Sequence, residues 1–331
     1  MDTLSSAIVV FLVSAAFVIA AGIGLARFGD DLAEATGWGK LWVGTLLVGI
    51  ATSLPEVTVN VSAVWLDKNP GLALGNVFGA DMINIFVIGV VALVFGVPNL
   101  FGNQGRDTEL LILTGLGLVA LALGFGAFGD IKVLGPTSVG GLLIGALYLY
   151  GMRRVYLAGR AAGGEAGDGG ERPSSRNAWI GFLTSAVVVI LAGRYLASSA
   201  DAIAEASGIS ASFIGVLLVS IVTTLPEGSV TITASLRRSY GIAMGNVYGS
   251  CAFNITIIFI ADFFHTRGPL LREMQAAHFA AAIAAFALMG MGYLVYKSCQ
   301  SRAFAPLRAL APAIPVVYIG ALYAVYVLAQ G

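Results

Sequence analysis

Two short segments place a proline and a carboxylate inside long apolar stretches of the chain. They read Thr52-Ser53-Leu54-Pro55-Glu56 and Thr223-Thr224-Leu225-Pro226-Glu227. A charge and a helix breaker both cost free energy within a hydrophobic segment. Because this cost occurs twice with the same spacing, the two segments predict a functional site.

A second pair of motifs follows about twenty residues after each carboxylate. The motifs are Gly75-Asn76-Val77-Phe78-Gly79-Ala80-Asp81-Met82-Ile83-Asn84 and Gly245-Asn246-Val247-Tyr248-Gly249-Ser250-Cys251-Ala252-Phe253-Asn254. Their glycines, Gly75, Gly79, Gly245 and Gly249, are expected to let neighbouring helices approach closely. Asn84 and Asn254 can add amide oxygens to the site.

The candidate ligands of this site are all oxygens. They are the carboxylates of Glu56 and Glu227, the amides of Asn84 and Asn254, and the hydroxyls of Thr52, Ser53, Thr223 and Thr224. The two prolines also displace the carbonyls of Ala51 and Val222 from helical hydrogen bonding. Such a shell suits hard cations such as Ca²⁺ and Na⁺, whereas zinc or copper favours nitrogen and sulfur. Two carboxylates neutralise one Ca²⁺, and the same cage can hold Na⁺ instead.

The composition places this site in a membrane. Of the 331 residues, 58% are hydrophobic and only 11% are charged, against about a quarter charged in soluble domains. The formal net charge is zero, which argues against a nucleic-acid partner. The chain is therefore expected to be an integral protein of the lipid bilayer, and its sequence indicates no obligate protein partner.

Apolar segments of roughly 20 residues are long enough to cross a bilayer as helices. Ten such spans are predicted, near 4–27, 41–66, 71–97, 108–127, 133–152, 178–199, 211–236, 241–262, 275–296 and 311–329. The predicted fold class is therefore an all-α integral membrane protein with ten transmembrane helices. The long polar connection between the fifth and sixth spans includes 163–170, which has the composition of a flexible linker.

The two halves of the chain are repeats of each other. At an offset of 171, residues 11–56 match 182–227 at 24 of 46 positions, and at an offset of 170, residues 71–88 match 241–258 at 9 of 18. Five helices per half is an odd number, so the second half must be inserted upside down. The predicted organisation is a first inverted repeat (1–152), a cytoplasmic linker (153–177) and a second inverted repeat (178–331), an arrangement typical of transporters.

The distribution of Lys and Arg predicts the orientation. If the N-terminus is outside, thirteen of the eighteen basic residues face the cytoplasm. The other five face outward; they are Lys68, Lys132, Arg194, Arg267 and Arg272. Both termini are therefore expected outside the cell inner (plasma) membrane, with the linker in the cytoplasm. The acidic residues near helix ends, including Asp30 and Glu34, are interpreted as solvated charges.

The paired Thr-Ser/Thr-Leu-Pro-Glu and Gly-Asn-x-x-Gly-x-x-x-x-Asn motifs resemble the two alpha repeats of the sodium/calcium exchanger family. The resemblance extends over nearly the whole chain. It implies a secondary active antiporter that exchanges Ca²⁺ for Na⁺ by alternating access, with the first and sixth helices sliding across the rest. It also implies that Ser250 joins Glu56, Glu227, Asn84, Asn254, Thr52, Ser53, Thr223 and Thr224 as ligands of the transported ions. No cofactor is expected.

Two positions depart from the family pattern. The family usually has Gly-Ser-Asn where this chain has Gly79-Ala80-Asp81, so the Ala80 position lacks a hydroxyl for Na⁺. Asp81 adds a third acid one helical turn before Asn84 and could bind the cation or carry a proton. An H⁺-coupled Ca²⁺/cation antiporter is therefore the alternative function.

Rival functions of other classes are less well supported by the sequence. An intramembrane metalloprotease would need a His-Glu-x-x-His segment, which the chain lacks, and the nearest approach to a Gly-x-Gly-Asp protease motif lies at a loop edge near Asp130. The chain is therefore expected not to be an enzyme. A Ca²⁺-selective channel would use similar ligands, but inverted repeats around a buried site favour a carrier.

Overall fold

The computed structural model describes residues 4–66, 68–134, 137–161, 174–207 and 220–329. Twelve α-helical segments are named here in chain order: α1 (Leu4–Thr36), α2 (Lys40–Thr52), α3 (Leu54–Trp65), α4 (Pro70–Phe95), α5 (Val97–Phe101), α6 (Arg106–Phe128), α7 (Val139–Ala161), α8 (Ser175–Ser207), α9 (Leu225–Leu236), α10 (Tyr240–Asp262), α11 (Ala276–Gln300) and α12 (Ala313–Leu328). Short 3₁₀ helices cover Leu270–Glu273 and Arg302–Leu310. Strands β1 (Lys132–Leu134) and β2 (Thr137–Ser138) pair antiparallel.

The described helices confirm a multi-pass membrane protein. Six of them, α1, α4, α6, α8 (over Ser175–Ser199), α10 and α11, are long and apolar enough to cross a bilayer. The number rises to eight if each of two bent pairs, α2 with α3 and Arg302–Leu310 with α12, counts as one span. The expected ten spans and their inverted arrangement remain predictions.

Several predicted boundaries differ from the structure. The span predicted at 133–152 begins with the β-hairpin, and α7 starts only at Val139 but continues through Ala161. The linker predicted to begin at 153 is therefore helical over its first nine residues. The first and sixth spans, predicted at 4–27 and 178–199, belong to helices that continue to Thr36 and Ser207. Of the span predicted at 211–236, residues 211–219 lie outside the described residues.

The two Pro-Glu segments interrupt their helices in the same way. Ser53 (φ −87°, ψ 5°) separates α2 from α3, and the two helices are bent by 43°. Thr224 has nearly the same backbone conformation (φ −85°, ψ 0°) before α9. Both prolines then fall in the first turn of the next helix, where a missing N–H leaves no hydrogen bond unmade. Each proline therefore starts a short helix of 12 residues.

Helices α4 and α10, which carry the Gly-Asn motifs, form the centre of the molecule. In the most apolar segment of α10, 89% of the residues are buried, and the corresponding share in α4 is 67%, against 28% in α1. The lower share in α1 leaves it a large surface for lipid, while α4 and α10 are apolar on all sides because they are surrounded by protein. The polar residues of the motifs therefore lie in the protein interior.

Contacts between chain ends group the basic residues predicted to share a side. Lys40 Nζ lies 2.9 Å from Asp30 Oδ1, and Arg237 Nη2 lies 3.4 Å from Asp30 Oδ2. At the opposite end of the helices, Lys132 Nζ donates to the His265 carbonyl at 2.7 Å. The interpretation of Asp30 as a solvated charge is wrong, because its side chain is buried and paired with two cations.

Glycines of the second motif allow α10 to touch the backbone of α2. A Cβ at Gly245 would lie against the Leu41 carbonyl oxygen and 2.8 Å from the Thr45 nitrogen, and a Cβ at Gly249 would lie 2.8 Å from the Thr45 Cα. In the first motif, a Cβ at Gly79 would lie 2.7 Å from Ser220 Oγ, at the end of a side chain. The close approach expected from the sequence is therefore tightest between α10 and α2.

We expect Gly245→Ala to lower the thermal stability of the purified protein. The added methyl meets backbone that cannot rotate away, and overpacking of this kind costs roughly 1–3 kcal/mol. Gly290→Ala is the matched control, because a Cβ there has no neighbour within 4 Å and alanine favours a helix over glycine. Melting temperature in detergent measures both variants, and equal values for the two would contradict the close packing at Gly245.

Candidate functional site

The two helix breaks place Glu56 and Glu227 in the first turns of α3 and α9. Both side chains are fully buried. The N-terminal end of a helix carries partial positive charge, which stabilises a carboxylate there. The breaks therefore supply part of the compensation for two buried charges, and a cation between them would supply more.

The two carboxylates have unequal surroundings. Glu227 Oε1 accepts hydrogen bonds from Ser53 Oγ (3.0 Å) and Ser250 Oγ (3.4 Å). Neither oxygen of Glu56 has a hydrogen-bond partner of normal geometry within the described part of the chain, although the charge of Glu227 is close enough to repel it. In the repeat, the counterpart of Ser250 is Ala80, which has no hydroxyl to offer.

Asp81 pairs with the second motif. The Asn254 amide nitrogen donates to Asp81 Oδ1 at 3.2 Å, and the Cys251 thiol faces the Asp81 carbonyl at 3.9 Å. Asp81 and Asn254 are both buried. The third acid of the sequence therefore joins α4 to α10 at the level of the predicted site.

The remaining predicted residues divide into two groups. Thr52 and Thr223 contact asparagines of the opposite motif, as described below. Thr224 is bonded within its own helical turn, to the Ser220 carbonyl. Both amide atoms of Asn84 are buried without a hydrogen bond to any described residue. The structure thus brings most, but not all, of the predicted ligands into direct mutual contact.

Six buried oxygens of the predicted residues lack a hydrogen bond within the part of the chain that the structure describes. They are both carboxylate oxygens of Glu56 and one oxygen each of Asp81, Asn84, Glu227 and Asn254. Buried polar atoms in native proteins are nearly always paired. Six unpaired oxygens are also a suitable donor set for a hard cation, since Ca²⁺ takes six to eight oxygen ligands.

The donor set does not resemble a resident metal centre. Within the described residues, no three or more His, Cys, Asp or Glu side chains are placed to hold one metal ion together. Asp81 therefore does not join Glu56 and Glu227 in a single cluster of three carboxylates. Two carboxylates with neutral oxygens around them bind a cation less tightly than a full carboxylate cage, as a site that must release its ion requires.

Sequence reasoning assigned no role to Asn76 and Asn246, which brace the two breaks. Asn246 Oδ1 accepts from Thr52 Oγ1 (3.3 Å), so a residue of α10 holds the end of α2. Asn246 Nδ2 donates to the Glu227 carbonyl (3.0 Å) and to Thr231 Oγ1 (3.0 Å). One buried amide therefore fixes the break of one half and the carboxylate-bearing helix of the other.

Asn76 repeats this arrangement with the halves exchanged. Its Oδ1 accepts from Ser220 Oγ (3.2 Å) and Thr223 Oγ1 (3.5 Å), and its Nδ2 donates to Asn60 Oδ1 (3.0 Å). Asn76 and Asn246 recur at the repeat offset of 170, which was the available signal. Their partners Asn60 and Thr231 also correspond but differ in type, so the repeat did not reveal them.

Comparison with known proteins agrees with this geometry. The family model described as sodium/calcium exchanger protein matches residues 6–152 and 177–331. The chain belongs to the sodium/calcium exchanger family. It is therefore a cation/Ca²⁺ antiporter rather than an enzyme, with Na⁺ and Ca²⁺ as the ions that the family transports.

Relatives of this exchanger include antiporters from bacteria and archaea. It is 27% identical over 223 residues to a putative antiporter CaxA of Alkalimonas amylolytica, which covers 65% of this chain and 67% of the relative. It is 25% identical over 294 residues to the sodium/calcium exchanger MaX1 of Methanosarcina acetivorans, covering 76% and 80%. A solved structure of the sodium-calcium exchanger NCX_Mj superposes with a TM-score of 0.73 at 21% identity, over 97% of this exchanger and 99% of that chain. The fold of this exchanger is therefore the NCX_Mj membrane fold.

We expect Asn246→Ala to destabilise the exchanger, because it leaves the Thr52 and Thr231 hydroxyls and the Glu227 carbonyl without their partner. The cost of such orphaned buried groups is roughly 1–3 kcal/mol. Asn103→Ala removes an exposed asparagine and is the control.

A double-mutant cycle separates bracing from general packing. Combining Asn246→Ala with Thr231→Val should cost less than the sum of the single changes, by about 0.5 kcal/mol or more. Unfolding in detergent is the measurement, and strict additivity would show that the two side chains act independently.

Proposed function

We propose that this protein exchanges Ca²⁺ for Na⁺ across the cell inner membrane by alternating access. The observation that carries the proposal is the set of six unpaired buried oxygens around the two helix breaks. Their charge fits the cargo, since Glu56 and Glu227 together balance one Ca²⁺. The printed name of the relative MaX1, a sodium/calcium exchanger, supports the same pair of ions.

The proposed ligands are the residues expected from the sequence. Glu56 and Glu227 supply the charge, and Asn84, Asn254, Thr52, Ser53, Thr223, Thr224 and Ser250 supply neutral oxygens. Several hydroxyls now occupy hydrogen bonds within the protein, such as that of Ser53 to Glu227. A hydroxyl that donates its proton to a carboxylate keeps its lone pairs for a cation. The bound ions are cargo, and the proposal requires no cofactor and no protein partner.

The proposed topology has five spans per inverted half, both termini outside and the linker in the cytoplasm. It is supported by the thirteen-to-five distribution of basic residues and by the contacts that group them at opposite ends of the helices. Helices α1 and α8 pack against each other along much of their length. This contact suits a pair of helices that moves as one body across the rest.

The test is uptake of ⁴⁵Ca²⁺ into proteoliposomes under an imposed Na⁺ gradient, an H⁺ gradient, or neither. The proposal predicts uptake that saturates with Ca²⁺ and depends on outward-directed Na⁺. Uptake driven only by H⁺ would select the H⁺-coupled alternative. Conductance of many ions per opening without a counter-ion would identify a channel.

We expect Glu56→Gln and Glu227→Gln each to abolish Ca²⁺ transport while the protein stays folded. A unit charge about 4 Å from the ion contributes roughly 4 kcal/mol at an effective dielectric constant of 20, so its loss weakens Ca²⁺ binding on the order of 100-fold or more. Glu34→Gln, at a side chain 44% exposed, is the control. Flux assays together with size-exclusion profiles decide the outcome, and normal Ca²⁺ flux in either glutamine variant would refute a shared site.

The H⁺-coupled antiporter is the second candidate, and the buried Asp81–Asn254 pair is the observation that favours it. Asp81→Asn restores the residue that the family usually has and removes one buried acid. If Asp81 carries a proton during transport, the variant should lose pH dependence of Ca²⁺ flux and change the charge moved per Ca²⁺. Identical pH profiles and charge movement in wild type and variant would make Asp81 a packing residue.

A further inference from the structure

A cavity of about 730 Å³ leads from one end of the helices toward the proposed ion site. Its inner wall includes Gly75, Gly79 and Ser220. The Ser220 hydroxyl donates to Asn76 Oδ1, which also accepts from Thr223. One shared hydrogen-bond acceptor thus separates the cavity wall from a proposed ligand, and the cavity is a route by which ions reach the site.

The outer part of this cavity is lined by an excess of positive charge. Lys68 and Arg267 are exposed there, and neither forms an ion pair within the residues that the structure describes. The single carboxylate of the lining, Glu273, lies 3.8 Å from His265 Nε2. Cationic side chains on the approach to a cation site oppose binding, so they require a separate explanation.

We propose that Lys68 and Arg267 are specificity-determining residues that set the ratio of Ca²⁺ to Na⁺ affinity from this side of the membrane. The inference rests on the proposed function, because it concerns access to the same site. The positive potential of these two side chains extends along the cavity and disfavours every cation. It acts twice as strongly on Ca²⁺, so it shifts the competition toward Na⁺ and favours release of Ca²⁺ on this side.

The geometry allows an effect of measurable size. Nine residues of α4 separate Pro70 from Gly79, which is about 14 Å along a helix. Low-dielectric walls focus the field of charges in a cleft. Removing one positive charge at this distance is expected to strengthen Na⁺ binding about twofold at low ionic strength.

Valence provides a signature that a structural effect does not share. The binding energy of an ion in a potential is proportional to its charge, so the factor for Ca²⁺ is the square of the factor for Na⁺. A twofold change for Na⁺ thus requires about a fourfold change for Ca²⁺. The effect also disappears in concentrated salt, where the screening length falls from about 30 Å at 0.01 M to about 3 Å at 1 M.

The experiment measures equilibrium ⁴⁵Ca²⁺ binding to the purified full chain in detergent, with Na⁺ affinity taken from competition at Ca²⁺ far below half-saturation. A pH of about 8.5 keeps ordinary histidines neutral. The variants are Lys68→Gln, Arg267→Gln and their combination. Arg272→Gln is the matched control, since Arg272 is exposed in the neighbouring 3₁₀ helix but does not line the cavity. Glu273→Gln should shift both affinities in the opposite direction.

The expected result is tighter binding of both ions in each cavity variant, with the squared relation between Ca²⁺ and Na⁺ and no effect in about 1 M choline chloride. Equal factors for the two ions, an effect that persists in choline chloride, or an equal shift in Arg272→Gln would overturn the inference. Unchanged affinities in a wild-type background that binds Ca²⁺ would also overturn it. Absence of Ca²⁺ binding in the wild type would instead refute the proposed function.

Discussion

The structure depends on the placement of two carboxylates in an apolar interior. Glu56 and Glu227 are buried within a single low-dielectric region and repel each other. Each lies in the first turn of a short helix that a proline begins, so the breaks in the helices and the charges are one feature. The crossed asparagines, the tight contact of α10 with α2 and the unpaired oxygens all surround these two charges. A cation is the group whose charge and ligand preference match what they leave unbalanced.

The two halves repeat each other in sequence but differ in chemistry at the site. Glu227 accepts hydroxyl groups from Ser53 and Ser250, whereas Glu56 accepts none from the described residues because Ala80 replaces the corresponding serine. A carboxylate that already accepts two hydrogen bonds needs less from an ion than one with none. The site therefore has a well-solvated side and a poorly solvated side, and the cargo has most to contribute beside Glu56.

Much of this arrangement could be predicted from the sequence, and the exceptions have physical reasons. The Pro-Glu segments and the Gly-Asn motifs identify the site because charge and proline are costly in an apolar segment and both occur twice. The crossed pairing of Asn76 with Thr223 could not be predicted, because it depends on how α4 and the second break meet in space. Asp30 was misread for the same kind of reason, since its partners Lys40 and Arg237 arrive from other helices. The β-hairpin before α7 was missed because its residues are as apolar as a span and only their pairing distinguishes them.

The crossed bracing also constrains how the chain is made. Asn76 is synthesised long before Ser220 and Thr223, the residues whose hydroxyls it accepts, which follow 144 and 147 positions later. Until those residues enter the bilayer, the first half holds a buried amide and a carboxylate without their partners, in surroundings where water is scarce. Helices of the first half can insert one by one, but the break before Glu56 acquires its final geometry only after Asn246 arrives to hold Thr52. The ion site is thus the last part of the molecule to form, and a nascent chain released before the second motif has no place to bind its cargo.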